Sequence, residues 1–214
     1  MRKIILVRVP RTASTNFSDI LRFIYKNKVI RDYMWRELPK KVRIKRLKEG
    51  GYFYDLDNFK YPEKDMRKYD VIEGHFLLEK YKEFRDEYEF ITFLRDPVER
   101  CISHYNFNVS RNNRLGIDIR RFAEIYKNIY KKMIGNDLSV YNFIGITEKF
   151  DFSVNQFYEK LKIPEKLKHN LKGRGHYIKG RRKHGNTKKN REYIRKLNKE
   201  DYKIYNMAKY NLES

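Results

Sequence analysis

An apolar, β-branched run, Ile4-Ile5-Leu6-Val7 continuing through Val9, constrains this chain more than any other stretch. It reads as a strand buried on both faces, as in a parallel sheet covered by helices. Pro10 lacks a backbone donor and ends the ladder. The small and hydroxyl residues Thr12-Ala13-Ser14-Thr15 follow. Phe17, Ile20, Leu21 and Ile24 then recur at the spacing of an amphipathic helix. In this strand, tight turn and helix, free amides and the positive end of the helix dipole converge where an anion can sit. Arg11 and the hydroxyls of Thr12, Ser14 and Thr15 add donors, so the loop around Ala13 reads as a phosphate or sulfate cradle. An ordinary strand–helix turn with a Ser/Thr cap has the same outline. Neither G-x-x-x-x-G-K-[ST] nor G-x-G-x-x-G is present, which argues against a conventional ATP or dinucleotide loop.

A second strong signal spans Tyr88 to Tyr105. Residues 90–94 read as a buried strand, and Asp96, Pro97 and Glu99 then fall at the N-cap, N1 and N3 positions of a helix. Arg95 is thereby placed at the carboxyl end of a strand, facing the crevice where α/β proteins bind ligands. Ser103 lies two turns into that helix. Residues 70–76 read as a short buried strand ending in Gly74-His75.

Elsewhere the signals are weaker. Residues 29–69 read as a loop or short-helix excursion broken at Gly50-Gly51. Its cluster Lys40, Lys41, Arg43, Lys45, Arg46 and Lys48 suits either a solvated helix face or a grip on an acidic partner. Residues 111–135 read as a basic helical insertion with an Ile119, Phe122, Ile125, Ile129 stripe that covers one side of a cleft. A strand to Ile146 and a helix over 153–161 follow. The glycine-broken basic run 172–191 reads as a loop. A last helix over 192–209 turns Ile194, Leu197, Ile204, Met207 and Ala208 toward the core.

With 50 Lys+Arg against 28 Asp+Glu the formal net charge is +22, which calls for an anionic partner: nucleic acid, membrane surface or acidic polysaccharide. Apolar content of 40% argues against a disordered basic tail, and 214 residues suit one domain spanning 1–214. The lone Cys101 excludes an internal disulfide framework. The first apolar run is too short for a signal anchor, so the chain reads as soluble and cytoplasmic.

Val9-Pro10-Arg11-Thr12-Ala13-Ser14-Thr15 resembles the 5′-phosphosulfate loop of sulfotransferases that use 3′-phosphoadenylyl sulfate (PAPS). It is most similar to the VPKTAST form of the heparan sulfate and uronyl 2-O-sulfotransferases, and departs from it where Arg11 replaces Lys. Arg95 to Tyr105 resembles the same family's R-D-P-x-x-R-x-x-S-x-Y signature, which implies that Arg95 and Ser103 hold the 3′-phosphate. Glu73-Gly74-His75-Phe76-Leu77 resembles its H-G-H-V-S motif. His75 then takes the role of general base, and Glu73, standing for the first His, either orients it or serves no catalytic role. Gly145-Ile146-Thr147-Glu148 is similar to the family's V-G-V-T-E framework strand. The loop before the last helix closes over the nucleotide in this family, which implies Arg182, Lys183 and Thr187 as donors.

The resemblance implies an α/β fold: a P-loop-like domain with a mostly parallel central sheet flanked by helices. It also implies sulfuryl transfer from PAPS to a hydroxyl, with adenosine 3′,5′-bisphosphate released and no metal required. An acidic or uronic-acid-containing glycan is the expected acceptor, Arg11 supports the leaving phosphate, and nucleic acid is an unlikely partner. The alternative is a non-enzymatic nucleic-acid-binding domain, supported by charge and interleaved aromatics but by no RNP, zinc-finger or helix-turn-helix signature.

Overall fold

A computed structural model describes residues 1–32, 66–112, 116–168 and 184–213. Five strands form one parallel sheet: β1 (Lys3–Val7), β2 (Val29–Asp32), β3 (Val71–Gly74), β4 (Tyr88–Leu94) and β5 (Phe143–Ile146). Their order is β2-β3-β1-β4-β5, and every neighbouring pair is parallel. The protein is therefore an α/β fold with a central parallel sheet flanked by helices. β3 lies on one side of β1 and β4 on the other, so the chain leaves the centre in opposite directions and a crevice opens at the carboxyl ends of these three strands.

Alternation along the strands sends side chains into two separate cores. Ile4, Leu6, Val71, Ile91, Phe93 and Phe143 face α1 (Ser14–Tyr25) and, below, the later helix Phe150–Lys160. Ile5, Val7, Ile72, Phe90, Leu94 and Ile146 face the opposite layer. That layer holds α2 (Pro97–Asn112), α3 (Ile119–Ile125) and α4 (Ile129–Ile134). After α5 (Phe150–Lys160) it is completed by α6 (Lys188–Leu197) and α7 (Lys199–Glu213). Residues 4–7 are wholly buried. At roughly 1.5–3 kcal/mol per buried aliphatic side chain, β1 alone is a large part of the driving force.

Three sequence expectations change. Residues 29–32 form edge strand β2 rather than a loop, while 33–65, including the Lys40–Lys48 cluster by number 40–48, fall outside the described residues. The stretch expected as an insertion over a cleft is split into α3 and α4 at Asn128 (φ 50°), and Phe122, Tyr126, Ile129, Tyr130 and Met133 are core. The last helix is broken at buried Asn198, whose Oδ1 accepts from the Asn128 amide at 3.0 Å and whose Nδ2 donates to the Ile194 carbonyl at 2.7 Å. The break resets the helical phase. Tyr205 therefore turns inward and Met207 is 51% exposed. No described helix is long and apolar enough to cross a membrane.

The close approach of β2 and β3 at their ends requires a glycine. A Cβ on Gly74 would stand 2.2 Å from the Asp32 carbonyl oxygen. Gly74→Ala should lower stability by ~1–3 kcal/mol, the usual cost of forcing extra volume into a packed site. Urea unfolding measures it, and an unchanged midpoint would show that the strand ends separate freely.

Candidate active site

The loop between β1 and α1 owes its shape to two residues in the left-handed region, Arg11 (φ 68°) and Ala13 (φ 57°). Each carries a Cβ, so each conformation costs on the order of 1–3 kcal/mol and persists only because its surroundings impose it. Thr12 sits between them. A backbone that alternates in this way turns successive amides into an anion-binding concavity. Ala13 occupies the N-cap without a side-chain cap, and the first helical bond is donated by Phe17 to the Ala13 carbonyl at 3.3 Å. The amides of Ser14 and Thr15 precede that bond, at the positive end of α1.

The hydroxyls divide into two roles. Thr12, fully buried, donates to the Val9 carbonyl at 2.9 Å, and Ser14 donates to the same carbonyl at 3.4 Å. Both were expected to face an anion; their protons are instead directed inward, bracing the turn. Thr15 is exposed, and its Oγ1 accepts from Arg8 Nη2 at 2.9 Å, which leaves its own proton to donate.

The two sequence motifs meet through Arg11. Its Nε donates to Ser103 Oγ at 3.2 Å, and its guanidinium lies over the Phe107 ring, 4.5 Å from the centroid. Ser103 and Phe107 are one turn apart on α2, so Arg11 lies along that helix. Arg95 reaches back from the end of β4, with Nη1 3.5 Å from the Arg11 carbonyl. Its own backbone is held by buried Tyr130, whose hydroxyl bonds both the amide and the carbonyl of Arg95. Burial keeps that phenol protonated by pushing its pKa well above the usual value. The turn is framed as the sequence led one to expect: Asp96 Oδ1 accepts from the amides of Val98 and Glu99 at 2.9 and 3.0 Å. Glu148 adds a bond that local spacing does not reveal, accepting from the Asp96 amide at 3.0 Å.

His75 follows Gly74 at the end of β3 and is half-buried. Its Nδ1 lies 2.6 Å from the Arg8 carbonyl oxygen. Glu73, two residues earlier, is completely buried and its carboxylate is surrounded by guanidinium groups: Arg31 Nε at 2.9 Å, Arg22 Nη2 at 3.2 Å and Arg8 Nη1 at 3.6 Å. It was expected to orient His75 or to do nothing catalytic. The bond on His75 Nδ1 runs to Arg8, and Glu73 serves as the shared counter-ion of three arginines. His104, next to Ser103, packs edge-on against Phe122 and Tyr126 and is 4% exposed. Burial first, then the charges of Arg100, Arg11 and His75, hold its pKa well below the ordinary histidine value, so it stays neutral.

Thr187 caps α6, its Oγ1 accepting from the Asn190 amide at 3.3 Å. The residues just before it are tied to α2: Asn106 accepts from the His184 amide at 2.8 Å and donates to its carbonyl at 3.2 Å. Asn106 is one turn beyond Ser103, so the end of this loop reaches the Ser103 side of the crevice. Arg182 and Lys183 lie outside the described residues. Arg8, Phe107 and Glu148 were missed as site residues. Arg8 left a trace in the sequence, as a cation inside an otherwise apolar run, and Glu148 stood in the motif read as framework.

A parallel α/β sheet with an anion cradle after its central strand, faced by an arginine at the end of the next, defines a class of proteins that handle phosphate- or sulfate-bearing ligands. A family model described as the sulfotransferase family matches residues 1–136, which take in the cradle, His75 and the Arg95–Ser103 helix start, and the chain belongs to that family. The family implies transfer of a sulfuryl group from a sulfate donor to a hydroxyl acceptor. A comparison with curated proteins finds no match.

Proposed function

We propose that the whole chain, 1–214, is one PAPS-dependent O-sulfotransferase domain whose acceptor is an acidic, uronic-acid-containing glycan and whose general base is His75. The observation that carries this reading is the bond from Arg11 to Ser103. It joins the cradle after β1 to the helix start after β4 into one donor surface, with His75 at the end of the adjoining strand β3. The motifs resemble those of the heparan sulfate and uronyl 2-O-sulfotransferases.

The donor set fits a nucleotide with a phosphosulfate at one end and a 3′-phosphate at the other. The amides of Ser14 and Thr15, the Thr15 hydroxyl and Arg11 would hold the phosphosulfate. Arg95 and Ser103 would hold the 3′-phosphate, where a guanidinium fork matches phosphate oxygens. PAPS supplies the sulfuryl group and leaves as adenosine 3′,5′-bisphosphate. His75 takes the acceptor's hydroxyl proton as the new oxygen–sulfur bond forms, the role of a general base within reach of the reacting group. Arg11 and the loop amides stabilise the negative charge that builds on the departing phosphate. Three guanidinium groups gather around the Glu73 carboxylate, with Arg22 also paired to Asp19, which leaves one cation in surplus, with Arg31 and Arg22 partly exposed. That surplus and the net charge of +22 support an anionic acceptor.

Saturating adenosine 3′,5′-bisphosphate should raise the melting temperature, because a ligand that binds only the folded state stabilises it by mass action. Absence of both a shift and calorimetric binding would sink the assignment. Salt-steep binding to arbitrary DNA with no nucleotide response would favour a nucleic-acid-binding domain instead. A screen of glycan acceptors with labelled donor then identifies the acceptor.

A further inference from the structure

Resting on the reading of His75 as base, the geometry points to Arg8 as the positioning residue that selects which nitrogen of His75 reacts and ties that nitrogen to the donor cradle. Three contacts carry this. The Arg8 carbonyl lies 2.6 Å from His75 Nδ1. Arg8 Nη2 donates to Thr15 Oγ1 at 2.9 Å, and Arg8 Nη1 lies 3.6 Å from Glu73 Oε2.

A carbonyl oxygen has no proton, so a hydrogen bond at that distance requires Nδ1 to be the donor. The neutral ring carries one proton, and with that proton on Nδ1 the lone pair is on Nε2. Nε2 is then the atom that accepts the hydroxyl proton of the acceptor. As the ring becomes an imidazolium, Nδ1–H keeps its bond to the Arg8 carbonyl, so protonation needs no rearrangement on that side.

Arg8 is held at its backbone, where the amide donates to the Gly74 carbonyl at 2.8 Å, and at its side chain. Its guanidinium is 5% exposed and sits between two elements that must keep a set distance: the cradle at Thr15 and strand β3 at Glu73. A buried cation of this kind is held by its counter-ion, and breaking the pair is costly. One arm of the fork bonds Thr15 while the other stands at ion-pair distance from Glu73, which a lysine ammonium cannot reproduce in the same geometry. Gly74 adds to the constraint, since β3 ends against the Asp32 carbonyl with no room for a side chain. One residue therefore sets the ring of the base by its backbone and the donor loop by its side chain.

The test uses the full-length protein labelled with nitrogen-15, without nucleotide. Long-range proton–nitrogen correlation spectra report which ring nitrogen of each histidine carries the proton, and a His75→Gln sample identifies the His75 signals. Wild-type His75 should be the Nδ1–H tautomer. In Arg8→Lys, which keeps the charge and loses the fork, the signals should move toward a mixture of tautomers. Turnover should then fall by roughly 10–100-fold, by analogy with the loss of a partner that orients a metal-bound imidazole. Calorimetric affinity for adenosine 3′,5′-bisphosphate should fall as well, because the same fork holds Thr15. A wild-type His75 protonated on Nε2 overturns the proposal even if Arg8→Lys fails to fold. An Arg8→Lys protein with wild-type tautomer and turnover removes Arg8 from the role. Full turnover in His75→Ala overturns the base assignment itself, a result separate from either tautomer outcome.

Discussion

Replacing His75 with alanine should lower turnover by roughly 10²–10⁴, the contribution of a general base acting in the transition state. The imidazole stands at the end of β3, bonded to the Arg8 carbonyl, whereas the proposed nucleotide donors lie on the β1 loop and at the end of β4. The loss should therefore appear in kcat, with the affinity for adenosine 3′,5′-bisphosphate close to wild type. The pH–rate profile should lose whatever limb the ring contributes. Glu73→Ala makes the comparison sharp. Glu73 is wholly buried among Arg8, Arg22 and Arg31, so its removal leaves uncompensated buried charge and should reduce stability before it reduces the chemical step. A His75→Ala enzyme with full turnover beside a folded, inactive Glu73→Ala enzyme would move the base to Glu73.

Arg11→Ala should cost about 10²–10³ in turnover, the range for deleting one preorganised donor at a developing negative charge. The substitution removes more than a charge. It also removes the Nε bond to Ser103 and the cover over Phe107, the contacts that join the two halves of the proposed donor site. Affinity for adenosine 3′,5′-bisphosphate should fall as well. Arg11→Lys keeps the cation but forms neither a planar stack nor the same Nε bond, so it should retain measurable activity below wild type. Steady-state kinetics on the three proteins checks the order. Equal turnover in all of them would take Arg11 out of the mechanism and leave it a bridge between α1's loop and α2.

The local grammar of the chain was readable because it depends on neighbours in sequence. A run of buried, mostly β-branched residues is a strand wherever it lies in the fold, and β1, Lys3–Val7, takes in Ile4 to Val7 of it. Asp96 caps α2 because its side chain reaches amides two and three residues on. The cradle and the crevice-facing Arg95 follow from the same short-range chemistry. By contrast, β2 was invisible. Its four residues, Val29-Ile30-Arg31-Asp32, carry a strand only because β3 offers them a ladder, and half of them are charged. The break in the last helix depended on Asn198 finding the amide of Asn128, seventy residues away.

The site shows the same division. The strand, turn and helix pattern named Arg11 and Arg95 as candidates, and the resemblance to the family's motifs named Ser103 and His75. Which hydroxyls face outward was decided by the left-handed backbone at Arg11 and Ala13, which aims Thr12 and Ser14 at Val9. That Glu73 is a counter-ion was decided by sheet order, which sets β2 beside β3 and brings Arg31 level with it. Arg8 drew no sequence reading, and its role depends on the fold, which places Thr15, Glu73 and His75 around it. Contacts between residues far apart in the chain depend on strand order and register, and no local periodicity encodes those.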